Sequence, residues 1–164
     1  MALQSKLIVY VAIASMFALM GGIIWYASLD NPQLEEAQIE LLDVQVSSVN
    51  NVENSAKLTV TFLVKNPSEK TFTVPLITYK LYADGELLGS GQYSTEDVAM
   101  PGRALLTSGS EVPLDSTFQL NKSDVGSDSY QAIIDGEITS FRVEGVITAE
   151  SAWSLVEKKF DSSN

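Results

Sequence analysis

The 164-residue chain has no histidine and no cysteine. Without histidine it lacks the one side chain whose ordinary pKa lies near neutral, the commonest general base. Without cysteine it has no thiol nucleophile and no disulfide, and with both gone most zinc and copper ligand sets are excluded. A lipid carried on an amino-terminal thiol is excluded as well. Positive charge is scarce, with 10 Lys and Arg against 21 Asp and Glu and a formal net charge of −11. Nucleic acid and anionic headgroups both demand a basic face, so no nucleic-acid partner is expected. The acids are scattered along the chain, and no spacing singles out two as an acid and base pair. No catalytic, cofactor-binding or metal-binding residue is nominated, and the reading is of a non-enzyme.

What the chain does have is a long apolar run near its start. Leu7 to Leu29 carries no charge. As a helix at about 1.5 Å per residue it would reach roughly 35 Å, slightly more than a hydrocarbon core. Lys6 precedes the run and Asp30, Glu35 and Glu36 follow it. The positive flank places the amino terminus in the cytoplasm and the rest of the chain outside the cell membrane. Tyr10 near one end and Trp25 with Tyr26 near the other fit the headgroup level. A cleaved signal peptide is the competing reading. It expects a shorter apolar stretch and small residues before the cut, whereas bulky Trp25 or Tyr26 would stand there. Within the span Ala14, Ala18 and Gly22 recur every fourth residue beside Gly21, a small-residue stripe of the kind that admits a neighbouring helix. Alanine and glycine are also common in membrane spans.

The remaining residues are enough for one domain with a core. Residues 1–6 read as a cytoplasmic amino terminus, 7–29 as the span, 30–38 as a linker broken at Asn31-Pro32, 39–160 as a β-domain and 161–164 as a tail. Leu58, Val60, Phe62 and Val64 alternate with Lys57, Thr59, Thr61 and Lys65, which is a half-buried strand. Asn66-Pro67 ends it. A second strand runs from Phe72 to Ala83, Asp84-Gly85 supplies a tight hairpin turn, and Glu86 to Ser94 returns as its partner. Pro101-Gly102 marks a turn before strands at Arg103–Val112 and Asp115–Leu120. Asp128 and Gln131 have capping-box spacing, predicting a short helix over Ser129–Asp135 stopped at Gly136. Strands at Ser140–Ala149 and Trp153–Phe160 complete six or seven, a sandwich with one small helix.

Two polar clusters invite chemistry and have plainer readings. Asn121, Ser123, Asp124 and Asp128 surround Gly126 as in a calcium loop, but Val125 fills a ligand position and no glutamate closes the loop. The stretch reads as a polar turn and helix cap. Asn121-Lys122-Ser123 is also an acceptor triplet for N-glycosylation, usable only outside the cytoplasm. Asn66-Pro67 and Asp84-Gly85 read as turn chemistry that fixes strand register.

The order of segments "LTVTFLVKNPSEKTFTVP", "ITYKLYADGELLGSG", "VAMPGRALLTSGSEVPL" and "FRVEGVITAES" resembles the late-embryogenesis-abundant group 2 family, the water-stress and hypersensitive-response (LEA-2/WHy) domain. The resemblance covers Ile39 to Phe160, and its most specific part is the strand ending in Asn66-Pro67 with the hairpin bearing Tyr79, Gly85 and Gly89. Ser68 stands where family members often have a second asparagine. The resemblance implies an immunoglobulin- or fibronectin-like β-sandwich of about seven strands with one short helix. It also implies a role in tolerance of desiccation and other stress, with no catalytic residues to carry over. Relatives with one amino-terminal membrane helix are familiar, as are small single-domain versions in archaea.

Three functions follow as expectations. The first is a membrane-anchored protective or interaction domain acting on protein clients outside the cell. The second is an accessory subunit of a membrane complex, packed through the small-residue stripe. The third is a carrier of lipid or another apolar ligand between the sheets. The sequence does not fix the oligomeric state.

Overall fold

The computed structural model describes residues 2–95 and 104–164; the expected Pro101-Gly102 turn and the Arg103 start of its following strand lie outside the described residues. Helix α1 (Ala2–Ser28) contains the apolar run and is long and apolar enough to cross a bilayer. Asn31–Glu35 then form a second short helix, α2, with Pro32 in its first turn, where a missing N–H breaks no hydrogen bond. The expected linker is thus partly helical. It is also packed, because Leu34 and Ala37 are buried in the core of the domain that follows.

That domain is a sandwich of two antiparallel sheets, mainly β as expected. Its strands are β1 (Gln38–Asn50), β2 (Ser55–Lys65), β3 (Phe72–Ala83), β4 (Glu86–Ser94), β5 (Leu105–Leu106), β6 (Glu111–Asn121), β7 (Phe141–Glu150) and β8 (Leu155–Ser163). One sheet has the order β1-β2-β6 and the other β4-β3-β7-β8, with β5 paired to the start of β3. The central β2 shows the predicted alternation: Leu58, Val60, Phe62 and Val64 are completely buried while Lys57 faces solvent. Ile77, Tyr79 and Leu81 of β3 meet them from the opposite layer. An aromatic row fills the space between, with Phe62 edge-on to Tyr79 at 4.9 Å and to Phe160 at 6.0 Å between ring centres.

Three local expectations need correction. The strand expected over Arg103–Val112 is a two-residue β5 and the first residues of β6, separated by a turn in which Ser110 N–H donates to the Thr107 carbonyl. The intervening Thr-Ser-Gly-Ser is a turn signal, and Gly109 there has φ 71°. Asp115–Leu120 belongs to the same β6, which continues through Pro113 because β6 is an edge strand, where proline is tolerated. The expected single helix is α3 (Lys122–Val125) followed by α4 (Ser127–Ile134), and the Asp128–Gln131 capping box does not form. Gly126 is the N-cap, and Gln131 Nε2 donates to the Asp135 carboxylate a turn further on. Finally, β8 starts after Trp153 and runs through the expected tail. Its end is held where Asn164 exchanges hydrogen bonds with the Phe141 backbone.

Candidate functional site

The end of the sandwich nearest α1 is the most elaborately built part of the surface. Asp30, where α1 ends, is only 9% exposed. Its carboxylate lies 3.1 Å from Lys70 Nζ and accepts a long hydrogen bond from Ser151 Oγ. Hydrogen bonding to Asp30 raises the Lys70 pKa, so this ammonium stays charged. Ser154 Oγ bonds Asn31 Oδ1, and Lys158 Nζ donates to the carbonyls of Glu35 and Ala37 at 2.8 and 2.7 Å. That ammonium satisfies carbonyls left open at the end of α2. Helix and sandwich are therefore joined by a cross-linked segment with its own buried anchor, Leu34.

Trp153 belongs to this end. It sits in the turn between β7 and β8, is 67% exposed, and faces α1 across an apolar notch of about 360 Å³. The helix side of the notch is Leu19, Gly22, Ile23, Tyr26 and Ala27. The sequence reading placed Trp153 inside a strand and missed this. The signal was Ser151-Ala152-Trp153-Ser154, small and polar residues around one large ring, which is turn chemistry.

Asn66 ties together the loop beside Lys70. Its side chain is 1% exposed and donates to the Lys70 carbonyl at 2.8 Å and to the Leu106 carbonyl at 3.0 Å. Its Oδ1 accepts from Ser68 N–H and Oγ–H, and its backbone exchanges bonds with Ser110 and Gly109. Pro67 follows at the head of that loop. The pair thus closes a loop. Asp84 and Gly85 have φ 48° and 85°, the paired left-handed conformation of a tight hairpin turn, remote from α1 in the β3–β4 connection.

The second concave surface lies on the outer face of the larger sheet. Thr78, Lys80, Gln92, Glu144, Lys159 and Asp161 line an open groove of about 990 Å³. Beside it Arg142 pairs with Asp161 through two hydrogen bonds, lies 3.7 Å from Glu144 and stacks 5.6 Å over the Tyr82 ring. Tyr82 O–H donates to Glu144, and Lys80 stands 3.8 Å from the same carboxylate. The guanidinium lowers the Asp161 pKa, and Asp161 raises that of Arg142. Lys80, Arg142, Glu144 and Asp161 each stand beside a charge of opposite sign.

The remaining nominated residues are dispersed. Ala14, Ala18, Gly21 and Gly22 lie on the exposed surface of α1, with open space where Cβ atoms would stand on both glycines. Gly22 alone of the four borders the notch facing Trp153. Asn121 Nδ2 donates to Asp124 Oδ2, and this bond with one from Ser123 lowers the Asp124 pKa. Among the described residues no three acidic side chains converge on a metal-sized space. The lining of the open groove also includes Tyr79 and Phe160 of the aromatic row.

No protein-family model and no curated protein sequence matches the chain. In structure it is similar to a protein from Archaeoglobus fulgidus, 17% identical, with 77% of this chain and 94% of that one aligned at a TM-score of 0.50. It is likewise similar to a protein of Arabidopsis thaliana, 14% identical, with 77% and 79% aligned at a TM-score of 0.51. A protein described as late embryogenesis abundant aligns over 93% of this chain and 85% of its own at 14% identity and a TM-score of 0.45. The likeness to the first two is one of fold.

Proposed function

We propose that the chain is a non-catalytic LEA-2/WHy-like domain. In this reading α1 crosses the cell membrane with its amino terminus in the cytoplasm, and the sandwich protects or engages neighbouring proteins on the outer side. The observation that carries it is the joint at Asp30, Lys70, Leu34 and Lys158, which fixes an acidic sandwich to the exit of an apolar helix. A charged, well-hydrated body held at a constant distance from the membrane is suited to keeping neighbours apart when water is scarce. Paired charges on the open sheet face and the absence of histidine and cysteine support a surface that binds and does not react. The direct test is a drying or heating challenge of a client enzyme with vesicles carrying the chain. Better recovery of activity than with an equally acidic inert protein is expected; equal recovery contradicts the protective role.

An accessory-subunit role is favoured by one feature. Ala14, Ala18 and Gly21 do not border the notch facing Trp153, so this part of the helix is left open to another span. Leucine substitutions at Ala14 and Ala18 should then release a co-migrating membrane protein during native size analysis in mild detergent. Unchanged association, or migration of the wild-type chain alone, removes this reading.

A further inference from the structure

We propose that the Trp153 turn is a second membrane contact. In this proposal the indole enters the outer leaflet beside α1, and lipid acyl chains fill the notch between them. The inference rests on the reading of α1 as a membrane span. Its basis is the position of the ring along that helix. The notch wall extends from Ala27 down to Leu19. Gly22 lies seven residues before Leu29, the end of the apolar run, which at the helical rise is about 10 Å inside the exit. Trp153 therefore faces a stretch of α1 already within the bilayer if α1 spans it. Tyr26, expected at the headgroup level, borders the same notch.

The fold holds the turn there. Ser151 Oγ accepts from Trp153 N–H at 3.3 Å and from Ser154 N–H at 3.2 Å, while Ser151 and Ser154 reach Asp30 and Asn31. The turn is thus pinned on both sides of Trp153 to the residues where the helix ends. Further apolar surface lies nearby: Leu155 is 57% exposed and Leu105 is 61% exposed. Leu105 pairs with Thr73, which also pairs with Glu150 at the end of β7, so both leucines belong to the same end of the sandwich as the turn.

The occupant follows from continuity. One wall of the notch is the surface of α1 itself, so the medium around α1 also reaches Trp153. An indole satisfies both parts of an interface, with its ring in acyl chains and its N–H toward headgroups and water. The net negative charge of the chain gives no electrostatic attraction to anionic lipid. The contact should therefore form equally in neutral phosphatidylcholine and be insensitive to salt.

The chain has two tryptophans, so Trp25→Phe leaves Trp153 as the sole indole and Trp153→Phe leaves Trp25. Each full-length variant is reconstituted in phosphatidylcholine vesicles with and without bromine on the upper acyl carbons, and indole emission is recorded. The proposal expects Trp153 emission to be blue-shifted, diminished by the brominated lipid and little affected by acrylamide in the water, at low and high salt alike. Red-shifted Trp153 emission that acrylamide removes and bromine does not, with Trp25 still quenched by bromine, overturns the second contact and leaves the span standing. Loss of bromine quenching at Trp25 as well overturns both.

Discussion

At the scale of single residues, Asn66 shows how a turn residue can hold a structure together. A proline neighbour and a strand end identify it as punctuation in the sequence. Its complete burial and its bonds to Lys70, Leu106 and Ser68 arise only once the 66–70 and 105–110 segments are brought side by side. Asn66→Ala leaves those groups without their partner, at a cost of about 2–4 kcal/mol for several unmet buried bonds. The urea midpoint should fall accordingly; an unchanged midpoint would show that water replaces the side chain without loss. Tyr130 presents the opposite case. Its hydroxyl is buried with no hydrogen-bond partner among the described residues. Tyr130→Phe should therefore leave stability unchanged or raise it by about 1 kcal/mol. A clear drop in the unfolding midpoint would reveal a partner for the hydroxyl.

At the scale of elements, β2, β3 and β4 were legible because alternation and turn chemistry are local. Their ends differ from the sequence reading by at most two residues. The β5–β6 region and β8 were less legible because tertiary context decides them. Pro113 looks like a strand breaker unless its strand lies at a sheet edge, and the last residues look like a tail unless Arg142 and Phe141 are there to pair them. The inward ladder row Gly91–Tyr79–Gly145–Phe160 gives a sharper test of packing between strands. A Cβ on Gly91 would stand 2.5 Å from the Tyr79 ring, whereas one on Gly145 would overlap the Thr78 carbonyl oxygen and crowd Phe160. A ring can tilt, but a backbone carbonyl in the middle of a sheet cannot move alone. Gly91→Ala should cost roughly 1–3 kcal/mol, in the usual range for overpacking, and Gly145→Ala more than that. Denaturant curves that rank them in the reverse order would contradict the packing described.

At the scale of the whole molecule, pH stability bears on the core. Burial raises the Tyr79 pKa above its unfolded value, with the hydrogen bond to Ser116 opposing this in part. A group whose pKa is raised by folding supports the folded state fully below its unfolded pKa. That support is lost as pH rises from there through the folded value. Stability measured by urea unfolding should therefore fall above about pH 10, and Tyr79→Phe should flatten that fall. An equally steep fall in the variant would assign it to other tyrosines. The long apolar helix and the acidic body were both visible in the sequence. The joint between them was not, because it depends on Lys70, Ser151 and Lys158 meeting residues far away in the chain.

The central claim is that α1 holds the sandwich outside the membrane, and the cysteine-free chain allows it to be tested without background labelling. Val52, at the tip of the β1–β2 hairpin, is 92% exposed. The measurement is labelling of Val52→Cys by a membrane-impermeant maleimide in intact cells, with Ser5→Cys as the cytoplasmic reference. The account predicts that Val52→Cys labels in intact cells, that Ser5→Cys labels only after permeabilisation, and that both chains stay in alkali-washed membranes. Labelling of Val52→Cys only after permeabilisation, or its release by the wash, would contradict it.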